Sequence, residues 1–371
     1  MSKYIKKAIN QISDEYCAVE KLYNDIYQKD MAGAMFFCSS FYDLNKIENA
    51  INHFFDCEIV GCTTAGEIME DYHTHGIIGV SFSSEQFAFH SACISDVLKF
   101  DYDEAQEIST EFKRKLKFND DFDVDKMFTF LLNDGMTMQE EKVTSLIHKS
   151  LNGINLFGGS AGDDFKFKNA PVFVNKKFQK NSSSVVLIES KLKFKIYKIQ
   201  HFAGSDKDLV ITGADSSSRI VHEINGSPAA SELAEIIGVD KNDLMNIYSN
   251  HPLMLQIGSE WYVRTVIEIM GEDLRFACAI DEGIPLTVGE ITGLTESLEE
   301  NIKDIESEFS DIELTFGCEC IHRMLKINEI GLKDKVIPLL SRLNFIGFVT
   351  YGEQYNSVHL NQTLTCVVIG K

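Results

Sequence analysis

The sequence predicts an α/β protein of two closely packed halves with mixed sheets, each half built from a repeated β-α-β-turn-β unit. Three observations carry this. A unit near the start recurs degenerately in the middle and again at the end, a glycine-flanked turn follows the second strand of each copy, and only five prolines interrupt 371 residues. Repetition at this spacing means one supersecondary unit used several times.

Taken in order, residues 3–29 place Ile5, Ile9, Ile12, Tyr16, Val19 and Tyr23 near helical spacing. They predict one or two helices, so residues 1–30 read as an N-terminal helical segment. In the first copy AMFFCSSF (34–41) is an apolar strand ending in small polar residues. A helical stretch, the strand and turn EIVGCTTAGEI (58–68), a variable loop and the strand GIIGVSF (76–82) follow. The middle copy runs FTFLLNDG (128–135), a helix, INLFGGSAGDD (154–164), a long loop and SVVLI (184–188). FKIYKIQHFAG (194–204) reads as a strand entering a turn, with Tyr197, Ile199 and His201 on one face. Residues 208–229 predict two more strands, SPAASELAEIIGV (227–239) a serine-capped helix, and 253–257, 261–269 and 274–280 further strands. The last copy is IELTFGCECIHR (312–323), a helical region, NFIGFVTYGEQ (344–354), a loop and LTCVVI (364–369). A boundary near 215–240 divides a domain of residues 31–220, holding two copies, from one of residues 221–371, holding the third.

Fifty-six acidic against 35 basic residues give a net charge of −21, which argues against nucleic acid or an anionic membrane as partner. Much of the acid lies in DYDEAQEISTEF (101–112) and ESLEENIKDIESEFSDIE (296–313). A solvated helix face is the ordinary reading of such stretches, and a docking surface for a basic partner the alternative. No run approaches the roughly 18 apolar residues of a membrane span, and the acidic start is unlike a signal peptide. Nine cysteines without framework spacing point to a reducing compartment, hence the cytoplasm.

The turns carry a resemblance. VGCTTAGEI (60–68), FGGSAGDD (157–164), HEINGSPA (222–229), GFVTYGE (347–353) and HLNQTLT (359–365), in that order, resemble the FIST family of sensory domains. The resemblance implies a ligand-binding signalling module with N- and C-terminal halves, not an enzyme. Some members resemble haem-binding nitric-oxide sensors that regulate histidine kinases or cyclic-di-GMP enzymes, and others are proposed to bind small ligands such as amino acids. With no room for an attached output domain, a stand-alone sensor would need such a partner in trans. A homodimer is also open to it.

Candidate site residues follow from the turns. Gly61, Cys62, Thr63, Thr64 and Gly66 read as a small polar loop whose N–H groups could cradle an anion, with Glu67 at its mouth. Gly352 and Glu353 hold the same places in the last copy, and Gly158, Gly159, Ser160, Gly162 and Asp163 form the middle turn. The structural alternative is that the glycines only make tight turns and the acids bond neighbouring N–H groups. Asp163 and Asp164 alone are too few oxygens for a hard cation.

An enzyme would use Cys62 as nucleophile, which requires a lowered pKa and a nearby base or cation. Cys38 and Cys318 end their strands and could approach the same pocket, as in two-cysteine racemases, but Phe348 replaces Cys62 in the last copy. Cys318, Cys320 and His322 alternate onto one strand face, yet the second ligand pair of a closed zinc site is missing. Ten histidines are candidate haem ligands. His73 and His75 read as solvated loop residues, His148 as a surface helix residue and His359 as structural. His201 is the best-placed axial candidate, ending a strand directly before Phe202 on the face that carries Tyr197 and Ile199; the absence of Cys-x-x-Cys-His excludes covalent attachment, which leaves a b-type haem. Arg323, at a strand-to-helix turn, could pair with a ligand carboxylate or haem propionate.

Overall fold

The structure is a computed structural model and describes residues 3–118, 123–244 and 250–371. Strand takes 42% and helix 28%, so sheets set the architecture. The chain forms two compact units. One comprises Met1–Lys198, Asn301–Val358 and Leu364–Lys371; the other comprises Ile199–Glu300 and His359–Thr363.

The larger unit holds all three copies. In each, two parallel strands are joined through helix and flanked by a returning antiparallel strand. Met31–Ser39 pairs with Glu58–Thr64 and Ile77–Ser83, and Met127–Asn133 pairs with Asn155–Ser160 and Ser183–Ser190. Ile312–Cys320 pairs with Phe345–Thr350 and Leu364–Gly370. The crossover in the first copy is the helix Leu44–Phe54, started by Asp43, whose carboxylate accepts from the Asn45 N–H. Glu140–Ser150 serves the middle copy, and Ile321–Glu329 with Lys333–Arg342 the last.

The N-terminal segment departs from the sequence expectation. Ile5–Asn10 is a strand, and only Glu15–Ile26 is helical. Ile5 to Asn10 pair antiparallel with Phe82 to Ile77, so six edge-strand ladder positions override a helical spacing of apolar residues. Helix begins where Asp14 accepts the Cys17 N–H.

An aromatic cluster drawn from all three copies fills the centre of this unit. Phe37 stacks on Phe348 at a centroid distance of 4.1 Å and on Phe316 at 5.3 Å, while Phe130 meets Phe316 at 5.2 Å and Phe157 at 5.0 Å. Such pairs contribute about 0.5–1.5 kcal/mol each beyond simple burial. Glycine allows the parallel strands to approach: a Cβ on Gly61 would stand 2.2 Å from the Phe36 carbonyl oxygen, and one on Gly347 2.3 Å from that of Gly317.

The smaller unit is built on an eight-stranded sheet. Its long strand Phe202–Asp215 pairs with Pro285–Ile291 and Ile220–Ile224. The helix Ala229–Ile237 packs Ala229, Ala230 and Leu233 into that sheet's core. The helix cap expected of Ser227 is not formed. Ser227 pairs with Ile224 instead, and Pro228 occupies the cap position without a side-chain bond. The run 261–269 is two strands, Glu260–Arg264 and Val266–Met270, broken at Thr265.

Candidate functional site

The three turns are variations on one geometry. In the first copy the Thr64 hydroxyl accepts from the Gly66 N–H (3.3 Å) and donates to Glu67 Oε1 (2.6 Å). In the last copy Thr350 accepts from Gly352 (3.3 Å) and donates to Glu353 Oε1 (2.7 Å). Gly66 and Gly352 take φ of +143° and +134°, a region that favours glycine. The middle turn differs. Asp163 accepts from the N–H groups of Phe167, Lys168 and Asn169 and from the Tyr351 hydroxyl. Burial raises this carboxyl, but those donors outweigh it and hold it below its ordinary 3.8.

The turns interlock through backbone. Ala65 N–H donates to Val349 and Val349 N–H to Gly66; Gly162 donates to Thr63 and Asp164 to Thr64; Ser160 donates to Gly352 and Tyr351 to Ser160. This corrects the free-amide cradle. Gly61 to Thr64 are strand, as are Gly158 to Ser160; the N–H groups of Ala65, Gly162 and Asp164 donate to other turns, and those of Gly66 and Gly352 to their own threonines. The middle glycines serve close packing, since a Cβ on Gly159 would lie 2.6 Å from Thr350 Cγ2 and 3.1 Å from Cys318 Sγ.

At the carboxyl end of the first copy's parallel strands the side chains form a polar cluster. Asp164 Oδ2 accepts from both Ser39 (2.8 Å) and Ser40 (2.7 Å), and His75 Nδ1 lies 3.5 Å from Ser39 Oγ. Lys166 Nζ donates to Ser40 Oγ at 2.9 Å. Glu67 is fully buried, and its Oε2 has no hydrogen-bond partner among the described residues. Burial first, then the charge of Asp164, pushes its carboxyl well above the ordinary 4.5. Sequence reasoning singled out Glu67, read His75 only as a solvated loop residue, and passed over Ser39, Ser40 and Lys166. The one signal pointing to the serines is that the strand ends in small polar residues, where parallel strands of α/β folds present their ligand groups.

The equivalent end of the last copy is already neutralised. Arg323, 1% exposed, pairs with Glu319, whose other oxygen accepts from the Tyr72 hydroxyl at 2.6 Å. Arg323 is therefore committed to an internal carboxylate. Cys318 and Cys320 share a strand, but helix starts at Ile321, which corrects the expected common face with His322. Among the described residues no group of three or more His, Cys, Asp or Glu side chains is placed to hold a metal ion.

Cys62 is wholly buried. Burial first, then Cys38 and Glu67, push its thiol well above 9.0, the opposite of an activated nucleophile. His201 is 2% exposed, with its ring 4.1 Å from that of Phe202, where an ordinary turn histidine would be solvated. Phe202, Met254 and Val263 fill the adjoining apolar cluster, with Trp261 packed against it. As arranged, His201 is buried against Phe202, and Arg323 donates from Nη1 to the buried Glu319. His148 is half-buried, its imidazole lowered by that burial, and the His359 carbonyl accepts from Arg264.

Three interlocked β-α-β-turn-β copies, with acids rather than reactive thiols at their strand ends, define an α/β repeat module built around a polar strand-end site. Residues 33–227 match the FIST N domain and residues 229–356 the FIST C domain, so the chain belongs to the FIST family, whose domains are sensory and bind small ligands. No curated protein matches the chain. No helix among the described residues is long and apolar enough to cross a membrane.

Proposed function

We propose that this protein is a sensory module whose small ligand binds at the carboxyl end of the first copy's parallel strands, among Ser39, Ser40, Glu67, His75 and Asp164. The observation that carries the reading is Glu67, a fully buried carboxyl with one oxygen that has no hydrogen-bond partner among the described residues. Leaving such an acceptor unmade costs about 1–3 kcal/mol, and a functional site is where that cost is ordinarily tolerated. The interlocked turns give a ligand there a mechanical route, because displacing Asp164 strains its N–H bond to Thr64 and so the contacts to the other two copies. A ligand shifts such an equilibrium only by its differential affinity for the two states.

The module is non-enzymatic in this reading, since the thiol an enzyme would need is buried and protonated. Its output passes in trans to a histidine kinase or cyclic-di-GMP enzyme in the cytoplasm, as the family resemblance implies. A thermal-shift screen of small metabolites against the wild type and Glu67→Gln tests the site: a ligand that stabilises the first and not the second is expected. An absorption spectrum after haem addition tests the competing gas-sensor reading. A stoichiometric Soret band that shifts with nitric oxide and disappears in His201→Ala would overturn the proposal.

A further inference from the structure

The groups around Glu67 specify what kind of ligand satisfies it. Its Oε1 already takes the Thr64 hydroxyl, while Oε2 has no hydrogen-bond partner among the described residues. Gly76 backs that oxygen, since a Cβ there would lie 3.4 Å from Oε2. The Gly76 carbonyl accepts the Ser39 N–H, and the Ser39 hydroxyl leads on to Asp164 and His75. The side chains next to Glu67 are thus acceptors and hydroxyls, with a second acid in Asp164. Beside them stands an ammonium, Lys166 on Ser40 Oγ, carried on an exposed loop. On the rim the Phe41 ring is 61% exposed and packs against His75 at a centroid distance of 5.1 Å. Acceptors next to a buried acid, an ammonium bonded to Ser40 and an exposed aromatic face together form the layout of an amine site.

We propose that the site takes a small organic ammonium. Its N–H groups donate to Glu67 Oε2 and Asp164 Oδ2, and it displaces the Lys166 ammonium from Ser40. This inference rests on the ligand-binding reading of the first-copy strand end. An anion would meet two carboxyl groups and no buried cation, and a neutral hydroxyl would leave the charge of Asp164 uncompensated. The chain's net charge of −21 attracts cations to the whole surface, so the specific site must be told from that background by stoichiometry and salt.

The test is isothermal titration of the full chain with putrescine, and with butanediol and succinate as its neutral and anionic counterparts, at moderate salt. Single-site binding of putrescine alone is expected, weakened about tenfold or more in Glu67→Gln and strengthened in Lys166→Ala. Glu67→Gln is isosteric and Lys166 is exposed, and thermal melts of both variants verify folding. Glu67-dependent binding of succinate or butanediol in place of putrescine would overturn the ammonium class and keep the site. Putrescine binding that is multivalent, abolished by salt and indifferent to Glu67→Gln would overturn the ammonium proposal as surface attraction. If, in addition, no metabolite in the screen distinguishes the wild type from Glu67→Gln, the ligand site itself falls. No binding of any of the three compounds would also overturn the ammonium proposal.

Discussion

The Thr64–Glu67 and Thr350–Glu353 turns share a backbone and differ in electrical surroundings. Their threonine-to-glutamate bonds are 2.6 and 2.7 Å, and the glycine-to-threonine bond is 3.3 Å in both. Yet next to the second turn the chain places Glu319 and Arg323 as a buried pair, whereas the corresponding first-copy positions hold Cys38 and Tyr42. Backbone geometry repeats because every copy must satisfy the same buried N–H and C=O groups. Charge is set one side chain at a time, so it diverges between copies. One end of the repeat has become a closed ion pair, and the other retains a buried acid with nothing to neutralise it.

The comparison can be broken at its shared backbone first. Gly61→Ala and Gly347→Ala each drive a methyl into a carbonyl oxygen, at 2.2 and 2.3 Å. Each is expected to cost about 4–5 kcal/mol, read from urea midpoints, at the exceptional end of point substitutions. Unequal costs would show that the two copies are not structurally equivalent. The charge difference comes next. Arg323→Met strands the buried Glu319 carboxylate and is expected to cost about 3 kcal/mol, while Tyr42→Phe at the matching position removes only the hydroxyl's bond to the Ile12 carbonyl, about 1 kcal/mol.

Glu67→Gln sharpens the contrast through pH. Folding raises the Glu67 carboxyl well above 4.5, so the folded state is the better proton binder above that pH. The residue's contribution is therefore flat below about pH 4.5 and grows unfavourable as pH rises from there. Urea midpoints of Glu67→Gln should fall less than those of the wild type between pH 5 and pH 8; parallel slopes would contradict this account. Thr64→Val, which removes both the donor to Glu67 Oε1 and the acceptor of the Gly66 N–H, is expected to cost about 1–3 kcal/mol.

Much of this was legible beforehand. The repeats, the strand positions and the turn glycines are local patterns: alternation, apolar runs and residues tolerant of positive φ. Glu67 and Glu353 could be picked out because they follow those glycines. What was not legible depends on partners distant in sequence. Ile5–Asn10 became a strand because residues 77–82 offer it a ladder. The supposed anion cradle closed because amides at 65, 162 and 164 find carbonyls in other copies. Arg323 looked available for a ligand until Glu319, one helical turn away, proved to lie within reach at a strand-to-helix junction.

The interlocked turns also bear on when the site comes into being. Their bonds join residues near 64, 162 and 350, separations that make chain closure slow relative to local structure. During synthesis the first copy emerges long before the strand Phe345–Thr350 that its Ala65 N–H requires. A ribosome-bound chain with two copies therefore lacks the interlocked turns, and the three-turn arrangement is completed in one late step.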